Sequence, residues 1–567
     1  MLIMDFRKSK FLYPTIFLLL AVYYTLPFLM NINNWGVRDW DLFTSIADIP
    51  AGSIIYYGQF PFWNPYMGGG NILFHHPEVG VLTPFFLLYL IFGAVIGLKL
   101  QVLICYFLGF WGSHRLACSL SITRLSAFVV SVAYFGSVHF ALHFAEGHIP
   151  FTHFAFMPWF VFFVLQSEQS KKNILWASIT LALMILGNGA AIPLLYTMLF
   201  SFLLIILRSV QSRNFTELKS LVLSTIGGIG LSAIKFIPMV IYLIQNKWPG
   251  NQDESISLGA LGSIFFGLKH SLFAKNFDGQ FWAWHEYGAY ISPILALLAL
   301  YILVVKFKPH FMWFILAVFF LLLGMGNFGW LSPWAILSHF PGFSSARCTG
   351  RAFQFVILSV AILGGFGFDT LRVFFEKLAN KNIGKIILPL LGGIVIGTNM
   401  AFAWPIMNSA FHQKPVELVR SSIFQHVIDD KAHAYQNYLA NKGSLITPWL
   451  SAYHPSRAIV GPDENVLMEY FKTGEAEVIR RDYNNNEITY ELNGLVPGKM
   501  MICMGYDPGW YAVDGRLLVD DQGVIALDFD KGKHTIELKY RTPYFYPGMI
   551  ISLLSITLIW PVFKKRE

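Results

Sequence analysis

Charged side chains are scarce in this sequence. Lys+Arg 41 and Asp+Glu 33 make up 13% of 567 residues, about half of the roughly 25% usual in soluble domains. So few charges cannot cover a water-exposed surface, which excludes an ordinary soluble multidomain protein of this length. Cysteine is scarcer still. Cys105, Cys118, Cys348 and Cys503 stand apart without paired spacing, which excludes a disulfide framework and a zinc ribbon. No internal repeat or low-complexity segment is present. What abounds is apolar: hydrophobic residues are 55%, aromatics 17%, and the 53 phenylalanines outnumber all the basic residues. This is the composition of a polytopic α-helical membrane protein. Its net charge of +8 then concerns orientation in a bilayer, because basic residues collect in cytoplasmic loops. It does not call for a nucleic-acid partner.

The run from Phe11 to Met30 is about twenty residues, enough to span roughly 30 Å of hydrocarbon. It lacks a small-residue cleavage site, so it reads as a retained anchor helix. Arg7, Lys8 and Lys10 place the amino terminus in the cytoplasm and the residues after Met30 outside. The apolar run Val81–Gly97 either spans or is re-entrant. If it is re-entrant, the cytoplasmic loops hold Arg115 and Arg124, Lys171 and Lys172, Arg208, Arg213 and Lys219, and Lys306 and Lys308. Arg372, Lys377, Lys381, Lys385 and Lys564–Arg566 follow the same rule. The opposite choice puts nearly all of these outside, so the re-entrant reading stands.

About twelve spans result, with both termini inside: 11–30, 98–118, 125–143, 151–166, 173–187, 190–207, 218–243, 287–305, 310–324, 351–371, 385–405 and 546–563. The chain divides into a transmembrane domain, 1–406, whose first outer loop is 31–97; an extracytoplasmic domain, 407–545; and a last helix with a cytoplasmic tail, 546–567. In the outer domain, Pro415–Leu439 has helical periodicity. From about Ala476, short alternating runs (487–492, 515–519, 534–540) predict a β-sandwich, with turns at Asn493-Gly494, Pro497-Gly498 and Lys531-Gly532.

Ionisable groups near a membrane core are costly, so their positions carry information. The unusual ones fall in the outer loops. Asp39 and Asp41 follow the first span and suit abstraction of a hydroxyl proton or a divalent cation. The structural alternative is that one caps a helix and the other is solvated. Trp63 and Asn64 sit in Gly58-Gln-Phe-Pro-Phe-Trp-Asn-Pro65, ahead of three glycines, a rigid turn suited to a pocket wall. His75-His76-x-Glu78 has metal-ligand residue types, but adjacent histidines point apart in most backbones, and the structural reading is favoured. Glu146, His148, His285 and Glu286 flank spans; snorkelling is the bland account, and it serves short acidic side chains poorly. Arg347 and Arg351 share a helix face at i,i+4. Arginine suits bidentate phosphate contact, and outer-face positive charge runs against the orienting rule.

These segments together resemble the YfhO-type bacterial membrane proteins, which belong with the GT-C glycosyltransferases. The resemblance is carried by Asp39-Trp-Asp41, Gly58–Pro65 with its glycines, Gly147-His148 before Met157-Pro158, and Glu286-Tyr-Gly-Ala-Tyr290. Pro341-Gly-Phe-Ser-Ser-Ala-Arg347-Cys-Thr-Gly-Arg351, Tyr506-Asp-Pro-Gly-Trp510, Val513-Asp-Gly515 and Tyr540-Arg-Thr-Pro543 complete it, in order along nearly the whole chain. Gly187-Asn188-Gly-Ala departs from the Gly-His-Pro-Gln that relatives often have, and no role is assigned there.

The resemblance implies a bacterial plasma-membrane enzyme with an extracytoplasmic active site. It would transfer a sugar from a polyprenyl-phosphate carrier to a glycan or lipid acceptor. Asp39 or Asp41 would be the acidic residue of the first loop at the active site, the base of an inverting transfer. Arg347 and Arg351 would meet the phosphate, and Trp63, Asn64, Glu146, His148 and Glu286 would bind substrate. The scheme requires no cofactor and no metal, and a divalent cation is not indicated. The competing classes are a transporter or flippase of lipid-linked sugar and a carbohydrate-binding scaffold. A transporter needs polar groups along a path through the bilayer, whereas these gather on one side.

Overall fold

A backbone in hydrocarbon must satisfy its own hydrogen bonds, so long apolar runs become helices. The computed structural model describes residues 11–246, 250, 253–271, 282–377, 381–415, 425–427, 434–441, 444–446, 468–521 and 523–564. Among these, seven helical stretches are long and apolar enough to cross a membrane: Leu12–Met30, Ala94–Ser119, Arg124–Glu146, Ile192–Ser212, Phe307–Gly324, Gly350–Lys377 and Ile386–Ser409. Shorter apolar helices, Ile149–Leu165, Lys172–Leu186, Pro293–Val305 and Phe545–Leu558, occupy other expected spans.

Two expected spans differ. The segment 218–243 is not one helix: Thr216–Leu231 and Ala233–Gln245 meet at a 92° bend. The segment expected to begin at 287 starts its long helix only at Pro293. The backbone before it is extended and pinned to the helix Leu258–Phe266, Ala289 N donating to Ile264 O at 3.2 Å and Ile291 N to Phe265 O at 2.7 Å.

The apolar run after the first loop forms the nine-residue helix Pro84–Phe92, roughly 14 Å long at 1.5 Å per residue and too short to cross. Gly93, at φ +77°, ends it and turns the chain into Ala94–Ser119. Lys99 of that helix is buried, and its Nζ donates to the carbonyls of Asn31 (2.5 Å), Ile32 (2.9 Å) and Asn34 (2.7 Å). A cation there satisfies carbonyls left open after the first helix and ties the entry of the outer loop to the bundle.

The outer domain corrects three details. Within Pro415–Leu439, residues 416–424 and 428–433 lie outside the described residues. Gln425–Val427 is a strand paired in parallel with Ser444–Ile446, and the helix Ala434–Asn441 stands between the two in sequence. A parallel pair needs such a crossover, so only part of the stretch is helical. Asn493-Gly494 and Pro497-Gly498 are not turns but the bend of one long strand, Glu487–Gly505, whose first half pairs with Gly532–Tyr540 and whose second half pairs with Val524–Phe529. The run 515–519 is mostly loop: Gly515 has φ +80° and Asp514 caps the N–H of Arg516. Both halves of the bent sheet face one core that includes Ile488, Leu492, Met500, Ile502, Leu527 and Leu538, which gives the domain its sandwich-like build.

The first outer loop is clamped to this sheet. Asn486 accepts from the N–H groups of Phe62 (3.2 Å) and Trp63 (3.1 Å) and donates to Phe60 O (2.6 Å).

Candidate functional site

The helix Asp39–Tyr57 begins with two carboxylates in its first turn, where the helix dipole favours negative charge. Trp40 fastens this turn to the end of the helix Val138–Glu146, its indole N–H donating to Phe144 O at 3.0 Å and Ala145 O at 3.2 Å. The contact requires Gly147. Its φ is +102°, and a Cβ there would stand 2.3 Å from Trp40 N. Gly147→Ala is therefore expected to lower stability by more than about 1 kcal/mol, read as a drop in the unfolding temperature of the detergent-solubilised protein.

This docking sets Asp39 against His148, with Asp39 Oδ2 3.0 Å from His148 Nε2. His148 Nδ1 in turn lies 2.7 Å from Nδ1 of His143, whose ring stacks on Phe151 at 3.6 Å. With Asp39 ionised and both rings neutral, His148 donates through Nε2 and accepts at Nδ1 from His143. Glu146 accepts from Arg38 Nη1 at 3.0 Å and has His285 Nδ1 at 3.8 Å. Arg38 itself is held at φ 58°, uncommon without glycine.

The third wall comes from the short helix Trp284–Tyr287. Its Glu286 is gripped by Arg351 through both oxygens, Nε donating to Oε2 at 2.8 Å and Nη2 to Oε1. Gly350 permits the approach, since a Cβ there would lie 2.6 Å from Glu286 O. Burial opposes ionisation of Glu286, but the charge and hydrogen bonds of Arg351 outweigh it and hold the carboxyl well below the usual range. The Arg351 guanidinium also lies over the Phe151 ring at 5.6 Å.

Two further buried carboxyls face these arginines. Burial pushes Glu78 up to about 7, against the pull of Arg347 and Arg351. Burial likewise raises Glu254 to about 7, although Tyr287 Oη–H (2.6 Å) and Thr349 N–H (3.2 Å) donate to it. A carboxyl whose folded pKa is raised is protonated in both states below about 4.5. Above that the unfolded state ionises first, so stability falls as pH rises toward 7. Glu254→Gln should flatten this fall, measured as the change in unfolding temperature between pH 5 and pH 8. An equal fall in the variant would contradict the assignment.

The remaining sequence-identified residues lie apart from this cluster. Asp41 is fully buried, accepting from the Trp35 indole N–H at 3.1 Å and from Tyr435 N at 2.8 Å. Trp63 packs against Trp510 and Tyr540 of the outer domain at 5.5 and 4.6 Å, and Asn64 accepts from Tyr66 N at 3.0 Å. His75 and His76 separate, the first meeting Thr542 Oγ1 at 3.3 Å and the second accepting from Glu78 N at 3.2 Å. Arg347 acts on Glu78 through its charge. Asn188, given no role from sequence, donates to Glu78 O at 2.8 Å and so fixes that stretch of the first loop.

Sequence reasoning missed His143 and Glu254. His139 and His143 at i,i+4 were a usable sign for the first; Glu254 offered none. Beside the loop, Thr83, Phe85, Leu88, Ile104, Leu108 and Phe156 help line an almost wholly apolar cavity of about 370 Å³.

No protein-family model and no curated protein matches the chain. Among solved structures it is similar to the arabinofuranosyltransferase AftD from mycobacteria, at 13% identity and a TM-score of 0.43, over 70% of this chain and 27% of that one. The chain thus spans only about a quarter of AftD. It is also similar to ArnT from Cupriavidus metallidurans bound to undecaprenyl phosphate, at 12% identity and a TM-score of 0.46, over 92% of this chain and 98% of that one. The apo form of ArnT gives 12% and 0.44, over 78% and 88%.

Proposed function

We propose that this protein is a membrane glycosyltransferase of the GT-C type, in keeping with its YfhO-type resemblance. In this reading it moves a sugar from a polyprenyl-phosphate carrier to a cell-envelope glycan, polymer or lipid at the outer face of the bacterial plasma membrane. The observation that carries the reading is the Asp39–His148 pair standing in one buried cluster with the Glu286–Arg351 pair. Membrane proteins bury such groups at high cost and keep them for function.

Asp39 takes the proton of the acceptor hydroxyl as that oxygen bonds to the anomeric carbon. The anomeric carbon–oxygen bond to phosphate breaks on the opposite side, its electron pair staying with the departing polyprenyl phosphate, and configuration inverts. Arg351 and Arg347 supply the positive charge that the leaving phosphate needs. His148 orients Asp39 through its Nε2 contact at 3.0 Å. The apolar cavity beside the first loop suits the isoprenoid chain. Trp63 serves by holding the loop on the outer domain, and Asn64 by fixing the turn within the loop.

The test is transfer by the purified protein in proteoliposomes, supplied with polyprenyl-phosphate sugars and an envelope acceptor fraction. Labelled product is expected. A second reading, transport of lipid-linked sugar, draws on the broken helix at Ser232 and the buried Lys235 beside it. Movement of the lipid across vesicles without product would favour that one. Orientation is checked separately: Arg480, on the exposed side of the outer sheet, should as Arg480→Cys be labelled by an impermeant maleimide in spheroplasts. Labelling only after permeabilisation would reverse the topology.

A further inference from the structure

We propose that Glu78 is a donor-binding residue, whose carboxyl keeps a proton and gives it as a hydrogen bond to the phosphate held by Arg347 and Arg351. The identity of that phosphate, a diester of isoprenoid and sugar, rests on the glycosyl-transfer reading.

The backbone around Glu78 is fully engaged. Its N–H donates to His76 Nδ1 at 3.2 Å, and its carbonyl accepts from Asn188 Nδ2 at 2.8 Å. The next carbonyl, of Val79, accepts from the Lys235 ammonium at 2.5 Å. A turn fixed at three points holds the side chain where it stands. The carboxyl is the opposite case. Glu78 is 7% exposed, and among the described residues no hydrogen bond or ion pair reaches its carboxyl oxygens. A polar group taken from water without a partner is costly, and the neighbouring buried carboxyls avoid that cost. Glu286 has both oxygens on Arg351, Glu254 receives Tyr287 Oη–H and Thr349 N–H, and Asp39 meets His148.

The surroundings of Glu78 suit phosphate. Burial is the largest influence and opposes its charge. Arg347, Arg351 and His148 favour the charge and Asp39 opposes it, and the balance leaves the carboxyl at about 7. Lys235, from the broken helix, is the other cation that senses Glu78, and its ammonium is turned to the carbonyls of Val79 and Gly187. A phosphate drawn to the arginines offsets their pull and adds negative charge, and both effects favour the proton on Glu78. A neutral carboxyl then offers an O–H, where an ionised one offers only repulsion. As the anomeric carbon–oxygen bond breaks, the phosphate passes from diester to monoester and gains negative charge. The hydrogen bond from Glu78 strengthens with that charge, so it stabilises the departing phosphate more than the bound donor. The proton stays on Glu78 throughout, and Asp39 remains the base.

The experiment is binding of farnesyl methyl phosphate to the full-length protein in phospholipid-free detergent. This diester has the donor's single charge and takes up no proton of its own near neutral pH. Titration calorimetry in buffers of different ionisation enthalpy reads both the affinity and the protons taken up. The wild type is expected to bind about tenfold more weakly for each pH unit above about 7, with about one proton taken up per ligand at pH 8. Glu78→Gln replaces the O–H with an N–H donor. It should bind equally well at pH 6.5 and pH 8.5, with that proton uptake lost. Should Glu78→Gln not fold, the wild-type proton count decides, and its absence overturns the proposal. Affinity that is independent of pH in the wild type, or that falls equally in Glu78→Gln, overturns the role of Glu78 and leaves the glycosyl-transfer reading standing. No binding at any pH overturns both. Capture of phosphatidylglycerol in place of the farnesyl diester assigns the site to a bilayer lipid and overturns the donor role.

Discussion

Asp39→Asn is expected to lower glycosyl transfer by about 10²- to 10⁴-fold, the usual worth of a positioned general base. The amide has the shape of the carboxylate and still accepts from His148 Nε2–H, so folding should be preserved; only the capacity to take a proton is lost. Asp41→Asn is the contrast. Its oxygens accept from Trp35 and from the backbone of Tyr435, so replacing it should cost about 1–3 kcal/mol of stability and leave turnover per folded molecule near the wild-type value. If Asp41→Asn alone abolishes turnover, the roles are reversed. If both variants remain active, the base lies elsewhere, and Glu78 is the next buried carboxyl facing the arginines.

The Glu286–Arg351 pair should give the largest effect on stability. Removing one partner of a buried, two-pronged ion pair strands the other charge and costs about 3–5 kcal/mol. Arg351→Ala is therefore expected both to destabilise the fold and to weaken donor use. Arg351→Lys should recover only part of each, since an ammonium cannot reproduce the fork. The double variant Arg351→Ala/Glu286→Gln separates the two roles. Without a stranded charge its unfolding temperature should return toward that of the wild type, while its dependence on donor concentration stays impaired. A double variant that regains both would make the pair purely structural.

The sequence carried the helices well, because apolar length and basic loops are dictated by the bilayer itself. It could not show the break at Ser232, because Lys235 and Pro238 come only after the 92° bend and the apolar run reads as continuous across it, nor the extended stretch before Pro293, which is fixed by pairing with Leu258–Phe266. In the outer domain, Pro497-Gly498 carries the chemistry of a turn, yet long-range pairing on both sides draws it into a bent strand. In the site, Asp39, Glu146, His148, Glu286 and Arg351 were legible as costly residues on one side of the topology. Which of them touch was not, because the contacts depend on Gly147 and Gly350 allowing backbones to close. Asp39 and Asp41 are alike in sequence and differ only in what they face. Trp63 packs on the outer domain, where an aromatic ring serves a domain seam as readily as a sugar site.

The most direct measurement is a cryo-EM structure of the full-length protein with a polyprenyl-phosphate sugar, prepared with Asp39→Asn to hold the donor unreacted. The account expects the phosphate within hydrogen-bonding reach of Arg351 or Arg347, the anomeric carbon open to attack on the side of residue 39, and the isoprenoid along the cavity near Phe85 and Leu88. A donor phosphate bound away from both arginines, or a sugar turned away from residue 39, would contradict it.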